Sequence, residues 1–266
     1  MWLHTQCDVD FELDVPTPFI LMLRPRSGGQ QWIAREAYEL TPSVPAREYT
    51  DDYGNLCQRL VAPRGAFAIR TSADVKVVDE PATAPGAPFT PVEVLPDAVL
   101  IYLLPSRYCE SELFLQMAQE ITGGCEPGYD QVAAIEQWVA RRIAYLPGSS
   151  AAPLTAAAVN SQGSGVCRDL AHLGIALCRA LTIPSRFVVG YLDGLDPMDM
   201  HAWFEAYVDG AWYSFDATQA RRRAGYVAVG YGRDAADVAV YNQFGPLVRR
   251  SEMRVSVSRI DASGRR

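Results

Sequence analysis

The 266-residue chain contains no two cysteines in a CxxC pair and only three histidines. These shortages argue against a structural zinc site, which takes four Cys or His ligands at short spacings. Basic residues are also scarce relative to acidic ones. The formal net charge is -7, whereas a nucleic-acid binder needs a basic surface to neutralise phosphates. The arginines Arg221 to Arg223 and the closing "SGRR" read as solvated surface. Long apolar runs are missing too. The longest, Ala98 to Leu104, falls far short of the roughly 20 residues a spanning helix needs. The opening "MWLHTQCDVDFELDV" carries Asp8, Asp10 and Glu12 and lacks the basic start and apolar stretch of a signal peptide. A cytoplasmic protein with neither a membrane nor a nucleic acid as partner is the expectation.

Hydrophobic residues make up 49% of the chain and charged residues 21%. That balance belongs to a packed globular protein, and the length suits one large domain or two modest ones. The six cysteines are Cys7, Cys57, Cys109, Cys125, Cys167 and Cys178. In a reducing compartment they are thiols, and five of them read as small hydrophobes.

Residues 1–78 read as an all-β domain. "FILMLRP" and "AFAIRTSADVKVVD" alternate and are punctuated by Pro and Gly, and "YTDDYGNLCQRLVAP" turns as a hairpin at Tyr53-Gly54-Asn55. Residues 79–105 read as a linker and a connecting strand, because "DEPATAPGAPFTP" is rich in Pro and Ala. From residue 106 to 266 the pattern changes. "SRYCESELFLQMAQEITGG" reads as a helix stopped by Gly123 and Gly124. "DQVAAIEQWVARRIAYLPG" places Val132, Ile135, Val139 and Ile143 on one helical face. "GSGVCRDLAHLGIALCRAL", Gly163 to Leu181, is a third helix, apolar almost all round and therefore buried. Strand-like "RFVVGYL" and "HAWFEAYVDGAWYSFDA" follow. Helices followed by strands, without βαβ alternation, make the fold class α+β.

The third helix begins with a cysteine, Cys167, behind a glycine-rich turn. A helix N-terminus favours a thiolate, and the glycines at 163 and 165 let backbone approach closely. In "HAWFEAYVDGAWYSFDA", Asp209-Gly210 is a two-residue hairpin signal. If these residues form the loop, Val208 pairs with Ala211, Tyr207 with Trp212 and, further along, Trp203 with Asp216. His201, Trp203 and Asp216 then share a face. His201 and Asp216 become diagonal neighbours with Cβ atoms roughly 7–8 Å apart, provided no bulge breaks the register. A carboxylate on one imidazole nitrogen fixes the tautomer and leaves the other as a base. His172, five positions after Cys167 and about 140° around the helix, should not face the same cleft and reads as a structural histidine. Asp169 reads as a brace for the turn, and Cys178 as core.

"GSGVCRDLAHLGIALCRALTIPSRFVVGYL" together with "MHAWFEAYVDGAWYSFDAT" resembles the bacterial transglutaminase-like superfamily, in the subgroup called transglutaminase-like cysteine proteases or peptidases. "REYTDDYGN" resembles the N-terminal β-domain of that subgroup, and "GYGRDAADVAVYNQFGP", Gly230 to Pro246, resembles its C-terminal signature. The resemblance implies a papain-like α+β core of helices plus antiparallel sheet over 106–266, preceded by the smaller β-domain. It implies Cys167 as nucleophile, His201 as base and acid, and Asp216 as the orienting group. "AYLPGSS" is similar to the segment ahead of the family's cysteine and makes Tyr145 a candidate for oxyanion stabilisation, set against a packing tyrosine at a helix end. Gln162 resembles the glutamine of papain-type proteases, although this family does not demand it. No carboxylate-rich calcium loop is visible, so calcium dependence does not transfer, and no cofactor is expected. The implied activity is cysteine-dependent acyl transfer at the amide or peptide bonds of a peptide, protein or small amide, with hydrolysis preferred. Protein-glutamine transamidation by the same triad, and a non-catalytic scaffold, are the alternatives.

Overall fold

The computed structural model describes residues 1–150 and 152–261. Alternation of apolar and polar residues sets the first part of the chain. It forms β1 (Trp2–Leu13), β2 (Thr17–Leu21), β3 (Gln31–Thr41), β4 (Ala46–Thr50), β5 (Leu56–Ala62) and β6 (Gly65–Val77). On β1, Leu3, Cys7, Val9, Phe11 and Leu13 point inward, and on β6 Phe67, Ile69, Ala73, Val75 and Val77 do the same. Each is a period-two pattern with one buried face. The hairpin expected at Tyr53-Gly54-Asn55 joins β4 to β5, with Thr50 opposite Leu56 and Gly54 at φ +82°.

The connecting segment contains no strand over residues 92–103. It forms 3-10 turns on either side of a one-turn helix, α1 (Asp97–Leu100). Pro91 and Pro96, at φ -59° and -60°, sit at the starts of these turns, where a fixed φ suits a helical start and the missing N–H costs nothing. The run Ala98 to Leu104 itself contains no proline; Pro96 caps its start, and it folds as a helical turn followed by a 3-10 turn in place of the expected connecting strand.

Three longer helices follow: α2 (Leu115–Thr122), α3 (Tyr129–Arg142) and α4 (Ala156–Gln162). α2 starts later than its sequence pattern suggests, because Ser111–Leu113 forms a separate 3-10 turn. α3 buries Val132, Ile135 and Val139 as expected. α4 is one element that periodicity did not reveal: at seven residues it is too short to show a stripe. Two short strands, β7 (Ala144–Tyr145) and β8 (Ser164–Gly165), pair in parallel and flank α4. Then comes α5 (Cys167–Ala180), buried continuously from Asp169 to Arg179.

Four strands cover α5: β9 (Ser185–Leu192), β10 (His201–Val208), β11 (Ala211–Phe215) and β12 (Tyr226–Gly232), in the order β11-β10-β9-β12. All their pairings are antiparallel. Helices packed against an antiparallel sheet make the fold α+β. The last strands, β13 (Tyr241–Gln243) and β14 (Arg250–Ile260), turn back to the start of the chain, β13 onto β2 and β14 onto β1. Residues 241–260 therefore belong with the N-terminal β-structure, although sequence order had grouped them with 106–266. β14 has no fully buried residue, so its apolar stripe is weak. Among the described residues no helix is long and apolar enough to cross a membrane.

Two main cores result. One surrounds α5; the other fills the β-structure and takes in Tyr191, Val227 and Val229 from the β9–β12 sheet. α5 and its sheet come close at Gly174, where an added Cβ would lie 2.6 Å from Phe204 Cε1. Gly to Ala in a helix ordinarily gains about 1 kcal/mol. Here overpacking against a buried ring reverses the sign. We expect Gly174→Ala to lower stability by about 1–3 kcal/mol in urea unfolding; an unchanged or raised midpoint would contradict the packing.

Candidate active site

The site is assembled at the N-terminal end of α5. α4 ends at Gly163, which has φ +71° and returns its N–H to the Val159 carbonyl. Gly165 is required by space, since a Cβ there would lie 2.8 Å from Asp169 Cβ. Asp169 holds the turn from inside. Its carboxylate accepts from the Val166 N–H at 3.1 Å, the Leu154 N–H at 3.0 Å and the Ser150 hydroxyl at 2.5 Å. An aspartate three residues past the cap, taking the cap's N–H, is one half of a capping box, which fits the bracing role read for it. Cys167, half-buried, is the first helical residue, so helix geometry leaves its N–H without an intrahelical acceptor.

Tyr145 is brought alongside by β7. It pairs with Gly165, and the Leu146 N–H donates to the Gly165 carbonyl at 2.9 Å. Gln162 lies elsewhere: it is exposed, and its amide donates to the Ser164 carbonyl and hydroxyl.

The hairpin after β9 has the register its sequence predicts. Asp209 and Gly210, at φ +47° and +79°, form the loop. Val208 faces Ala211, Tyr207 faces Trp212 and Phe204 faces Phe215. His201 opens β10, and Asp216 directly follows β11 on the same face. His201 Nε2 donates to Asp216 Oδ2 at 2.6 Å, and both side chains are almost fully buried. The other ring nitrogen, Nδ1, is buried without a hydrogen-bond partner of normal geometry. Burial alone would favour a neutral His201, but the Asp216 hydrogen bond, the Cys167 thiol and the charges of both outweigh it and push the imidazole up to about 10. Asp216 answers in the opposite direction. Burial opposes its charge, yet His201 and Thr218 hold it below the usual carboxylate range.

Cys167, His201 and Tyr145 line one cavity of about 420 Å³. Its walls are mostly apolar, including Phe187, Val189, Met200, Val238 and Val240, with Ser150, Arg168 and Asp199 as polar members. Burial, then the charge of Cys167, raises the Tyr145 phenol, so it remains a donor. Among the described residues no group of three or more His, Cys, Asp or Glu is arranged to hold a metal ion.

A model of the transglutaminase-like superfamily matches residues 115–217. The crystal structure of "a Putative Cysteine Protease from Cytophaga hutchinsonii" superposes with a TM-score of 0.86 at 34% identity, covering 100% of this chain and 93% of that one. The chain belongs to the transglutaminase-like superfamily. An uncharacterized protein of Mycobacterium leprae (strain TN) is also similar, 28% identical over 231 residues and 82% of each chain. The superfamily match spans Cys167, His201 and Asp216.

Sequence reasoning missed the groups around the histidine–carboxylate pair. Thr218 donates to Asp216 Oδ1 from its N–H at 3.0 Å and its hydroxyl at 2.7 Å. "DAT" carries that signal, as an aspartate turning onto the backbone two residues on. Tyr226 donates to Oδ2 at 2.8 Å, and no local pattern ties a tyrosine ten residues downstream to Asp216. Trp203 stacks on the His201 ring at 6.2 Å between centroids.

His172 lies outside the cavity, as its helical angle implies. It is fully buried, with Nδ1–H donating to the Leu154 carbonyl at 2.9 Å and Nε2 accepting from the Ala235 N–H at 3.1 Å. That pair fixes the neutral tautomer, and burial pulls the imidazole down to about 4. The unfolded chain then binds more protons than the native state between the ordinary value near 6.5 and that lowered value. Stability is therefore lost as pH falls through this window. From pH 7 to 5 the His172 contribution is a loss of about 2 kcal/mol. Urea midpoints at both pH values should show a smaller drop in His172→Gln than in the parent; equal drops would refute the assignment.

Proposed function

We propose that the protein is a cysteine-dependent acyl-transfer enzyme acting on amide or peptide bonds. Cys167 is the nucleophile, His201 the acid and base, and Asp216 the orienting group. One observation carries this reading. The imidazole is held at Nε2 by Asp216 and left open at Nδ1, on the ring that shares a cavity with Cys167.

The Cys167 thiol passes its proton to His201 Nδ1, and the thiolate attacks the amide carbonyl carbon. The C=O π electrons move to oxygen. The Tyr145 hydroxyl and the Cys167 N–H are the donors offered for that oxyanion. When the C–N bond breaks, imidazolium His201 gives its proton to the leaving amine and a thioester remains. Water then attacks the thioester carbonyl while His201 takes its proton, and collapse returns the thiol and releases an acid. A primary amine in place of water gives transamidation through the same intermediate. Hydrolysis is the reading we adopt, and mass analysis of products with and without added primary amine separates the two. The apolar cavity wall suits an acyl group with an apolar side chain.

The reading can be tested before any substrate is known. Burial pushes Cys7, Cys109 and Cys178 up to about 12 and also raises Cys57, so these thiols should stay silent. With limiting iodoacetamide at pH 6, peptide mapping should find Cys167 labelled first, ahead of Cys125. His201→Ala should remove most of that preference, because the imidazolium partner is gone. Equal labelling of Cys167 and Cys125, unchanged by His201→Ala, would favour a scaffold over an enzyme.

A second test uses any peptide or amide found by substrate profiling. Asp216→Asn should leave the fold intact and lower turnover by roughly 10³–10⁴-fold, since the amide neither stabilises the imidazolium nor enforces the tautomer. Near-parental turnover would remove Asp216 from the mechanism.

A further inference from the structure

Asp216 is saturated as an acceptor. Oδ1 takes the two Thr218 donors, and Oδ2 takes His201 Nε2–H at 2.6 Å and the Tyr226 hydroxyl at 2.8 Å. The carboxylate plane is thereby fixed from three directions. Burial and the charge of Asp216 both raise the Tyr226 phenol, which keeps it a donor.

Tyr226 opens β12, at the edge of its sheet. Two side-chain amides from the N-terminal β-structure occupy that edge. Gln31 Nε2 donates to the Ala228 carbonyl, and the Ala228 N–H donates to Gln31 Oε1, both at 2.8 Å. Asn55 Nδ2 donates to the Tyr231 carbonyl at 2.7 Å, and the Tyr231 N–H donates to Asn55 Oδ1 at 2.8 Å. Each amide offers the donor and acceptor that a neighbouring strand would offer. The two contacts lie on either side of the register shift between Ala228 and Gly230. A bulge leaves a residue unpaired and bends the strand locally, and the amides hold both flanks of this one.

We propose that Tyr226 is a positioning residue for the Asp216 carboxylate, and that the N-terminal β-structure acts on the reaction through it by clamping β12 with Gln31 and Asn55. The proposal rests on the reading of Asp216 as the group that orients His201. The β-structure then contributes to the geometry of the triad in addition to covering the sheet. The other charged groups against this pair are Glu136, which accepts from the Asp216 N–H at 2.6 Å, Arg222, paired with Glu136 at 3.2 Å, and Arg223, whose charge acts on Tyr226. Of these only Glu136 meets Asp216 directly, and it does so at the backbone, so none replaces the phenol at Oδ2.

The chain has three histidines, so ¹⁵N-histidine labelling of the whole protein gives a spectrum simple enough to assign. The Nε2–H of His201, in a 2.6 Å bond to a carboxylate, should appear far downfield and exchange slowly with water. Its absence in Asp216→Asn assigns it. Tyr226→Phe keeps the ring, which packs on Trp203 at 4.9 Å between centroids, and removes only the hydroxyl. In that variant the signal should move upfield and exchange about tenfold faster, and Cys167 alkylation at pH 6 should slow about tenfold, the usual weight of one hydrogen bond to a charged acceptor. Gln31→Ala should shift both readouts in the same direction by about threefold. Thermal melts confirm that each variant is folded, and a purely structural role would lower the melt without moving the His201 signal. Parental spectra and alkylation in Tyr226→Phe, or in Gln31→Ala, overturn the proposal. A parent lacking the downfield signal altogether overturns the triad reading beneath it, a distinguishable failure.

Discussion

The contact between Gly174 on α5 and the Phe204 ring on β10 is the constraint that sets where Cys167 and His201 lie. It brings helix and strand together more closely than any side chain at 174 would permit. Cys167 lies seven residues before Gly174, about 10 Å along the helix at 1.5 Å per residue. His201 lies three residues before Phe204, also about 10 Å along a strand at 3.3–3.4 Å per residue. Both elements run outward from the contact towards their N-terminal ends, so the two side chains reach the same level beside one cavity. Bulk at position 174 would change the separation of helix and sheet, and with it the distance from sulfur to imidazole. A core packing detail and the separation of the Cys167 sulfur from the His201 ring are in this sense one quantity.

Electrostatics then divides two buried histidines by their partners. His172 has a carbonyl and an N–H, both neutral groups, so burial wins and the ring is held uncharged. His201 has a carboxylate on one nitrogen and a thiol on its open side, so the same burial is outweighed. Depth inside the protein does not by itself set a histidine's charge; the formal charge of its hydrogen-bond partner decides. Only the second arrangement allows a proton to move to and from the ring during a reaction.

Much of this was legible in the sequence because the signals are local. Asp209-Gly210 demands positive φ at both loop positions, and that fixes which residues of β10 and β11 face each other. The helix period separates His172 from Cys167, and alternation marks β1 and β6. What was not legible depends on distant contacts or weak patterns. α4 is too short for a period, and the apolar run around Leu100, set between Pro96 and Pro105, folds as helical turns in place of a strand. β14 is an edge strand with a mostly polar face, and only its pairing with β1 shows where it belongs. Gln31 and Asn55 meet β12 across separations of 197 and 176 residues, and Tyr226 meets Asp216 only through the order of the strands, which no local rule supplies.

The register of the β10–β11 hairpin is correspondingly over-determined. A slip of one residue would turn Asp216 to the opposite face and separate it from His201. The turn resists that slip by its backbone conformation, and β9 resists it by pairing His201 with Gly190. Gly190 in turn has no room for a side chain, since a Cβ would lie 2.0 Å from the Val227 carbonyl oxygen, so β12 is drawn tight against β9 at the level of the site. That closeness is what lets a tyrosine at the start of β12 reach the carboxylate that follows β11, three strands away in the sheet order. The hydrogen-bond network at Asp216 is thus a consequence of sheet packing. Among the described residues no strand pairs with the outer edge of that sheet; side-chain amides of the neighbouring β-structure, Gln31 and Asn55, hydrogen-bond it instead.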